Sequence, residues 1–131
     1  MAAFDALRIA RTGLGMHQTW LDALAHNIAN ANTVRPTSGT AFQAELVEAA
    51  PLADGGVTVS GVAHSDAAGR LAYDPQNPLA DADGMVRLPD MDLATQMTQL
   101  VMAQRGFQAS VSTTKTAQDT YASALQIGRG A

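Results

Sequence analysis

The chain has no cysteine, which excludes both a disulfide framework and a thiolate metal site. Aromatic residues are scarce, with three Phe, two Tyr and one Trp in 131 residues, although hydrophobic residues make up 47% of the chain. That fraction is too high for a disordered tail. Much of it is alanine, so few side chains are large enough to anchor a thick core. Small apolar residues suit close helix–helix contact, and part of the burial is expected to come from neighbouring subunits. No stretch approaches the roughly 18 consecutive apolar residues that cross a bilayer. The segment Met1–Leu14 carries Asp5, Arg8 and Arg11 among its apolar residues. A cleaved signal peptide has a basic stretch followed by an apolar one, so none is expected here.

Basic charge is also in short supply, with 8 Lys and Arg against 12 Asp and Glu. The deficit lies in the centre. Residues 40–92 hold nine acidic groups against Arg70 and Arg87, whereas the flanks hold Asp5, Asp22 and Asp119 against six basic residues. Binding to a phosphate backbone needs clustered Lys and Arg. Nucleic acid is therefore not an expected partner. An acidic centre between mildly basic ends permits subunit contacts of opposite sign, and it equally fits a solvated acidic insert.

Three zones follow. Residues 3–31 lack proline and read as a helix, with Leu7, Leu14, Leu21 and Ile28 recurring every seventh residue. Leu24, Ala10 and Ala31 form the companion row, which His17 interrupts. This is the narrow stripe of a coiled-coil seam. Gly13 and Gly15 each cost about 1 kcal/mol relative to Ala in a helix interior. They read either as places where another backbone approaches or as a weak point.

Residues 92–127 form the second helix. Leu93, Met97, Leu100, Gln104, Phe107, Val111, Thr114, Gln118, Tyr121 and Leu125 advance by alternating steps of four and three. Asp90 or Asp92 is placed to cap its start, and Gly128 and Gly130 to stop it. The polar seam residues Gln104, Thr114 and Gln118 cost stability but specify register.

The middle, residues 33–91, holds all five prolines and more than half of the glycines. Short strands are expected at Phe42–Leu46, at Val57–Ser60 after the turn Asp54-Gly55-Gly56, at Leu71–Tyr73 and at Val86–Leu88. Residues 74–78 should be extended, because a residue before proline avoids the helical region. The expected organisation is therefore an N-terminal helix (1–32), a β/loop insert (33–91) and a C-terminal helix (92–131). The fold class is mainly α with a small β-containing insert, its long terminal helices paired as an antiparallel coiled coil.

A thin apolar stripe leaves a helix marginal without a partner. Each buried Leu, Ile or Phe contributes roughly 1.5–3 kcal/mol, and ordering two long helices consumes a similar total. A helical hairpin of this kind is expected to be partly unfolded as a monomer and ordered on assembly.

Candidates for site chemistry are few. Asp81 and Asp83 resemble a catalytic carboxylate pair, but alternate acids beside Gly84 also make a solvated turn, and no apolar pocket is evident to raise either pKa. His17, His26 and His64 lack metal-ligand spacing. Ser60 and Ser65 sit in no nucleophile elbow, and Gly13 and Gly15 follow no strand, as a phosphate loop would require. Neither a cofactor nor a catalytic residue is assigned. The Asn27, Asn30 and Asn32 cluster fits a helix end before Arg35-Pro36, or polar contacts between subunits. Trp20, beside the seam, is expected to pack within or between helices.

Three stretches carry a family resemblance. Asn27-Ile28-Ala29-Asn30-Ala31-Asn32-Thr33 resembles the Asn-(Leu/Ile)-Ala-Asn-(Ala/Met)-(Asp/Asn)-Thr signature of flagellar axial proteins, the rod, hook and hook-associated subunits. Gln104-Arg105-Gly106-Phe107-Gln108-Ala109-Ser110-Val111 resembles the Arg-x-(Tyr/Phe)-(Gln/Glu)-Ala-Asn motif on their closing helix. The segment Tyr73–Pro89 is similar to one that marks a short, proximal-rod branch of the group, and the chain length agrees. Departures are Ala41-Phe42-Gln43 where Pro-Tyr-Arg is frequent, Met85 where an aromatic is frequent, Asp90-Met91 for Asn-Val, and Ser110 for Asn.

The resemblance implies a structural subunit of the proximal rod. It would be exported by the flagellar type III apparatus without a cleaved signal, and would polymerise across the periplasm with itself and other rod and basal-body components. The resulting shaft would transmit torque around an export channel. The assembly residues implied by seam and motif together are Leu7, Leu14, Leu21, Leu24, Asn27, Ile28, Asn30, Asn32, Leu93, Met97, Leu100, Arg105, Phe107, Val111, Tyr121 and Leu125. The competing reading is a soluble helical adaptor, or another short axial subunit. A fully helical, cooperatively melting monomer would favour the adaptor, and helicity gained on polymerisation the rod subunit.

Overall fold

The computed structural model describes residues 2–129, with side-chain environments for residues 4–128. Helix α1 runs Ala2–Ala29 and helix α2 runs Leu93–Arg129; between them lie strands β1 (Glu45–Pro51), β2 (Val57–His64), β3 (Arg70–Tyr73) and β4 (Met85–Leu88). Helix α2 starts on Asp92, whose carboxylate accepts the backbone N–H groups of Ala94 and Thr95 and the Thr95 hydroxyl. Two of the donors that every helix leaves unpaired at its start are thereby satisfied. The first of the expected glycine stops does not act. Helix α2 passes through Gly128 to Arg129, and Gly130 lies outside the described residues.

The helices run antiparallel. Phe4 packs on Tyr121 with ring centroids 4.7 Å apart, Gly13 lies beside Ser110, His17 beside Gly106, and Asn27 bonds to Gln96. The scarcity of large apolar residues is visible in the core. Its buried hydrophobic members are Ala10, Ala23, Leu24, Ala31, Ala41, Ala44, Val86 and Ala103. Six of these eight are alanines, and those on the helices, Ala10, Ala23 and Ala103, let the helices meet through short side chains rather than through a thick layer of leucine.

The insert is two separate antiparallel hairpins, β1–β2 and β3–β4. The first strand lies later than its alternation suggests, because Ala44 gives its N–H to the Ser65 side chain and the ladder begins only at Glu45. Register shifts between Glu48 and Ala49, and Ser60, opposite the break, donates to the Glu48 carbonyl. Residues 74–78 are not extended. The Asn77 N–H returns to the Asp74 carbonyl, and the Asn77 side chain holds the Asp74 carboxylate. Pro75 thus sits inside a turn, where its fixed φ is an advantage. Gly84 closes the hairpin at φ +74°, with its α-carbon face against Tyr73 and Pro75.

Candidate assembly interface

The seam residues of α1 face inward as their spacing requires. Leu24 is buried, and Leu7, Leu14, Leu21 and Ile28 are half-buried. Helix α1 is covered twice, because its adjacent face receives the β1–β2 hairpin. The Arg8 guanidinium donates to the carbonyls of Asp54 (2.5 Å) and Gly55 (3.2 Å) and lies 3.3 Å from the Asp54 carboxylate. The Thr12 hydroxyl donates to the Ile9 carbonyl and accepts the Val57 N–H. The turn Asp54-Gly55-Gly56 is thus a foot that stands on the helix. Neither Arg8 nor Thr12 carried any signal in the sequence beyond ordinary helix-surface polarity.

Helix α2 behaves differently. Of its expected seam, Leu100, Phe107, Thr114 and Tyr121 are half-buried, while Leu93, Met97, Gln104, Val111, Gln118 and Leu125 are exposed. The row that completes the contact with α1 is Gln96, Ala103, Ser110 and Ala117, one position earlier in each heptad than expected. The shift has a steric cause. The His17 ring occupies the space beside Gly106, where a β-carbon would overlap it. Its Nδ1 lies 2.8 Å from the Gly13 carbonyl and 3.3 Å from the Ser110 hydroxyl. Small residues at 106 and 110 admit a ring that larger side chains there would exclude. The helices therefore pair on their small row and leave much of the larger one uncovered, with Met97 50%, Val111 45% and Leu125 52% exposed.

The asparagine cluster divides by function. Asn27 is 1% exposed and joins three elements. Its Nδ2 donates to the Glu45 carbonyl and to the Gln96 Oε1, both at 2.9 Å, and its Oδ1 accepts the Glu45 N–H at 2.8 Å. Asn30 finishes the helix, donating to the His26 carbonyl and accepting the Thr33 hydroxyl. Asn32 is exposed at a cavity of about 590 Å³ that is also lined by Arg70, Asp90 and Leu93. Gln96, partner of the buried asparagine, was not singled out from the sequence. The only available signal was its position one step off the apolar row. Arg105 is exposed, and Trp20 is half-buried with its ring 6.4 Å from that of His17.

The carboxylate pair lacks the chemistry of a general acid. Asp81 accepts the N–H groups of Met85 and Asp83 and the Thr37 hydroxyl. These bonds, that of Met85 first, hold its pKa below the usual carboxylate value. It locks a turn in its ionised form. Among the described residues no three His, Asp or Glu side chains gather as metal ligands, and no helix is long and apolar enough to cross a membrane.

Known proteins resemble the chain at both ends and along its length. Residues 7–37 match the family model described as Flagella basal body rod protein, and residues 82–127 match that of the flagellar basal body rod FlgEFG protein C-terminal region. The flagellar basal-body rod protein FlgC of Salmonella typhimurium is 35% identical over 134 aligned positions, covering 98% of this chain and 100% of the relative. FlgC of Escherichia coli O157:H7 is 36% identical with the same coverage, and that of Bacillus subtilis 27% identical over 150 positions, with 98% and 100% covered.

Proposed function

The chain belongs to the FlgC family of flagellar basal-body rod proteins, and from that membership we propose how it builds the rod. It is a structural subunit of the basal body rather than an enzyme. The α1–α2 pair, residues 1–32 with 92–131, is the axial element, supercoiled with its neighbours into a tube. The exposed row of α2 is the surface on which they pack. Residues 33–91 form a domain on the outside of that tube. The rod is a torque-transmitting shaft in the periplasm, its subunits delivered by the flagellar export apparatus without a cleaved signal and joined to copies of themselves and to other rod proteins.

The observation that carries this reading is the uncovered row Met97, Val111 and Leu125, with Leu93 exposed beside its start. Met97, Val111 and Leu125 stand two heptads apart, with exposed Gln104 and Gln118 at the positions between, so a second helix can seat there by the same side-chain interdigitation although α1 does not use the row. The row borders Leu100, Phe107 and Tyr121, which α1 only half covers. A neighbour's helix would therefore complete the burial of residues already in an interface. Deleting residues 1–24 removes most of α1 and should abolish incorporation into the rod, read by motility and by isolation of basal bodies. Normal motility in that deletion strain would refute the proposal.

A further inference from the structure

The β3–β4 hairpin has one finished edge and one open edge. On the far side of β4 the chain pairs with itself, because Arg35 exchanges two backbone hydrogen bonds with Arg87, of 2.9 and 2.8 Å. On the far side of β3, residues 70–73 make no backbone hydrogen bond among the described residues. An unpaired edge is a template for another strand. Proteins blunt such an edge with charge, a proline, a bulge or a short strand; β3 has no lysine, proline or bulge, but it is four residues long and carries Arg70, which the register sets on the opposite face from Leu71 and Tyr73.

The face beside this edge is apolar and uncovered. Leu71 is 55% exposed and Tyr73 71% exposed, and both lie on the side of the sheet opposite buried Val86. Met85, across from Tyr73, is half-buried. Arg87 shares the face, but its guanidinium is committed to the carbonyls of Ala68 and Thr37. The rim is acidic. Asp74, Asp81 and Asp83 are exposed at the turn that closes the hairpin, and none forms an ion pair among the described residues. Asp74 and Asp81 are bonded through the backbone to Gly84 and Met85, and Gly84 packs against the Tyr73 ring, so the acidic turn adjoins the apolar face.

We infer that the open edge of β3 is a docking site for an extended segment of another protein, one with apolar residues at alternate positions and Lys or Arg toward the acidic turn. Main-chain pairing along the edge supplies affinity, and alternate side chains over Leu71 and Tyr73 supply register. The cations meet a turn of net negative charge, on which the Asp83 side chain makes no hydrogen bond among the described residues, and the ring of an exposed tyrosine, which attracts positive charge through its quadrupole. A second copy of this chain is a poorer occupant. Its segment around Arg35 is already spent on β4, and its own β3 carries Arg70 on the face opposite Leu71 and Tyr73.

The test is photo-crosslinking of the full-length chain in flagellated cells, with Tyr73→p-benzoylphenylalanine and, in a second strain, the same probe at Leu71 so that a disturbed Gly84 does not obscure the result. Incorporation into the rod is scored in the same cells, which separates failure of this site from failure of the helix-pair proposal. The expected adduct is a Lys- or Arg-bearing, non-helical segment of a different protein. Asp83→Lys, at a side chain that makes no hydrogen bond among the described residues, should lower its yield at least about fivefold, because like charge at a contact is strongly disfavoured. The inference is overturned by an adduct on a helix, on an acidic segment or on a second copy of this chain. It is equally overturned by a yield that Asp83→Lys leaves unchanged, or by no adduct at either position in cells that build rods.

Discussion

Helix α1 and helix α2 carry apolar rows of similar spacing, yet the fold treats them oppositely. Helix α1 is held on two sides, by α2 and by the foot of the β1–β2 hairpin through Arg8 and Thr12. Helix α2 is held on one side, and its larger apolar row stays in solvent. A heptad pattern therefore marks which residues need a partner without saying which partner. In α1 the need is met within the chain. In α2 it is met only in part, and what remains is the surface available to a neighbour.

That contrast can be broken most severely at Asn27. Asn27→Leu leaves the Glu45 N–H and carbonyl and the Gln96 amide without their partners in a buried place. A loss of about 3 kcal/mol is expected, at one to three per unsatisfied group, measured by urea unfolding. An unchanged midpoint would show that the clamp does not hold α1, the sheet and α2 together. Gly106→Leu should follow at about 2 kcal/mol, the scale of overpacking a close contact, because the new side chain needs the space of the His17 ring. Adding His17→Ala should restore at least half of the loss; no restoration would mean that the ring does not select the small row.

A smaller effect belongs to the cap of α2. The Thr95 hydroxyl, then the Thr95 N–H, lower the Asp92 pKa. A lowered folded-state pKa gives stability that is present above the unfolded value, about 3.9, and lost as pH falls through the folded one. Helicity followed by far-UV circular dichroism should therefore decline in that acid window. Asp92→Asn keeps a capping acceptor but does not titrate, so it should flatten this part of the profile. The smallest effect on the isolated chain is expected at Val111→Lys, within about 0.5 kcal/mol, as for surface positions generally. Rod incorporation should nevertheless be lost. A marked destabilisation of the monomer would mean that Val111 serves the fold and not the neighbour.

The elements were legible in the sequence because each has a local cause. Seven-residue recurrence marks both helices, Asp92 marks a start, and Asp54-Gly55-Gly56 marks a hairpin turn. Asn27, Asn30 and Asn32 were legible as a group but not as individuals, since nothing local separates an asparagine that closes a helix from one buried 1% exposed against a strand 18 residues away. The α2 row was misjudged for a related reason. Large apolar residues announce themselves, whereas Gly106 and Ser110 matter for the space they leave to His17, and an empty space has no signature until its occupant is known. Family membership was legible from two short motifs and the segment between them, which agrees with the relatives' coverage of nearly the whole chain.

What the sequence determined by itself is the set of local preferences: where helices begin, where prolines and glycines break them, and which residues seek cover. These depend on neighbours within a few positions, through backbone sterics and periodicity. What only the tertiary structure decided is allocation, namely which row of α2 meets α1, which asparagine is buried, and which edge of the β3–β4 hairpin remains open. Those outcomes turn on whether side chains far apart in the chain fit the same space, and close packing settles that fit only once the whole chain is folded.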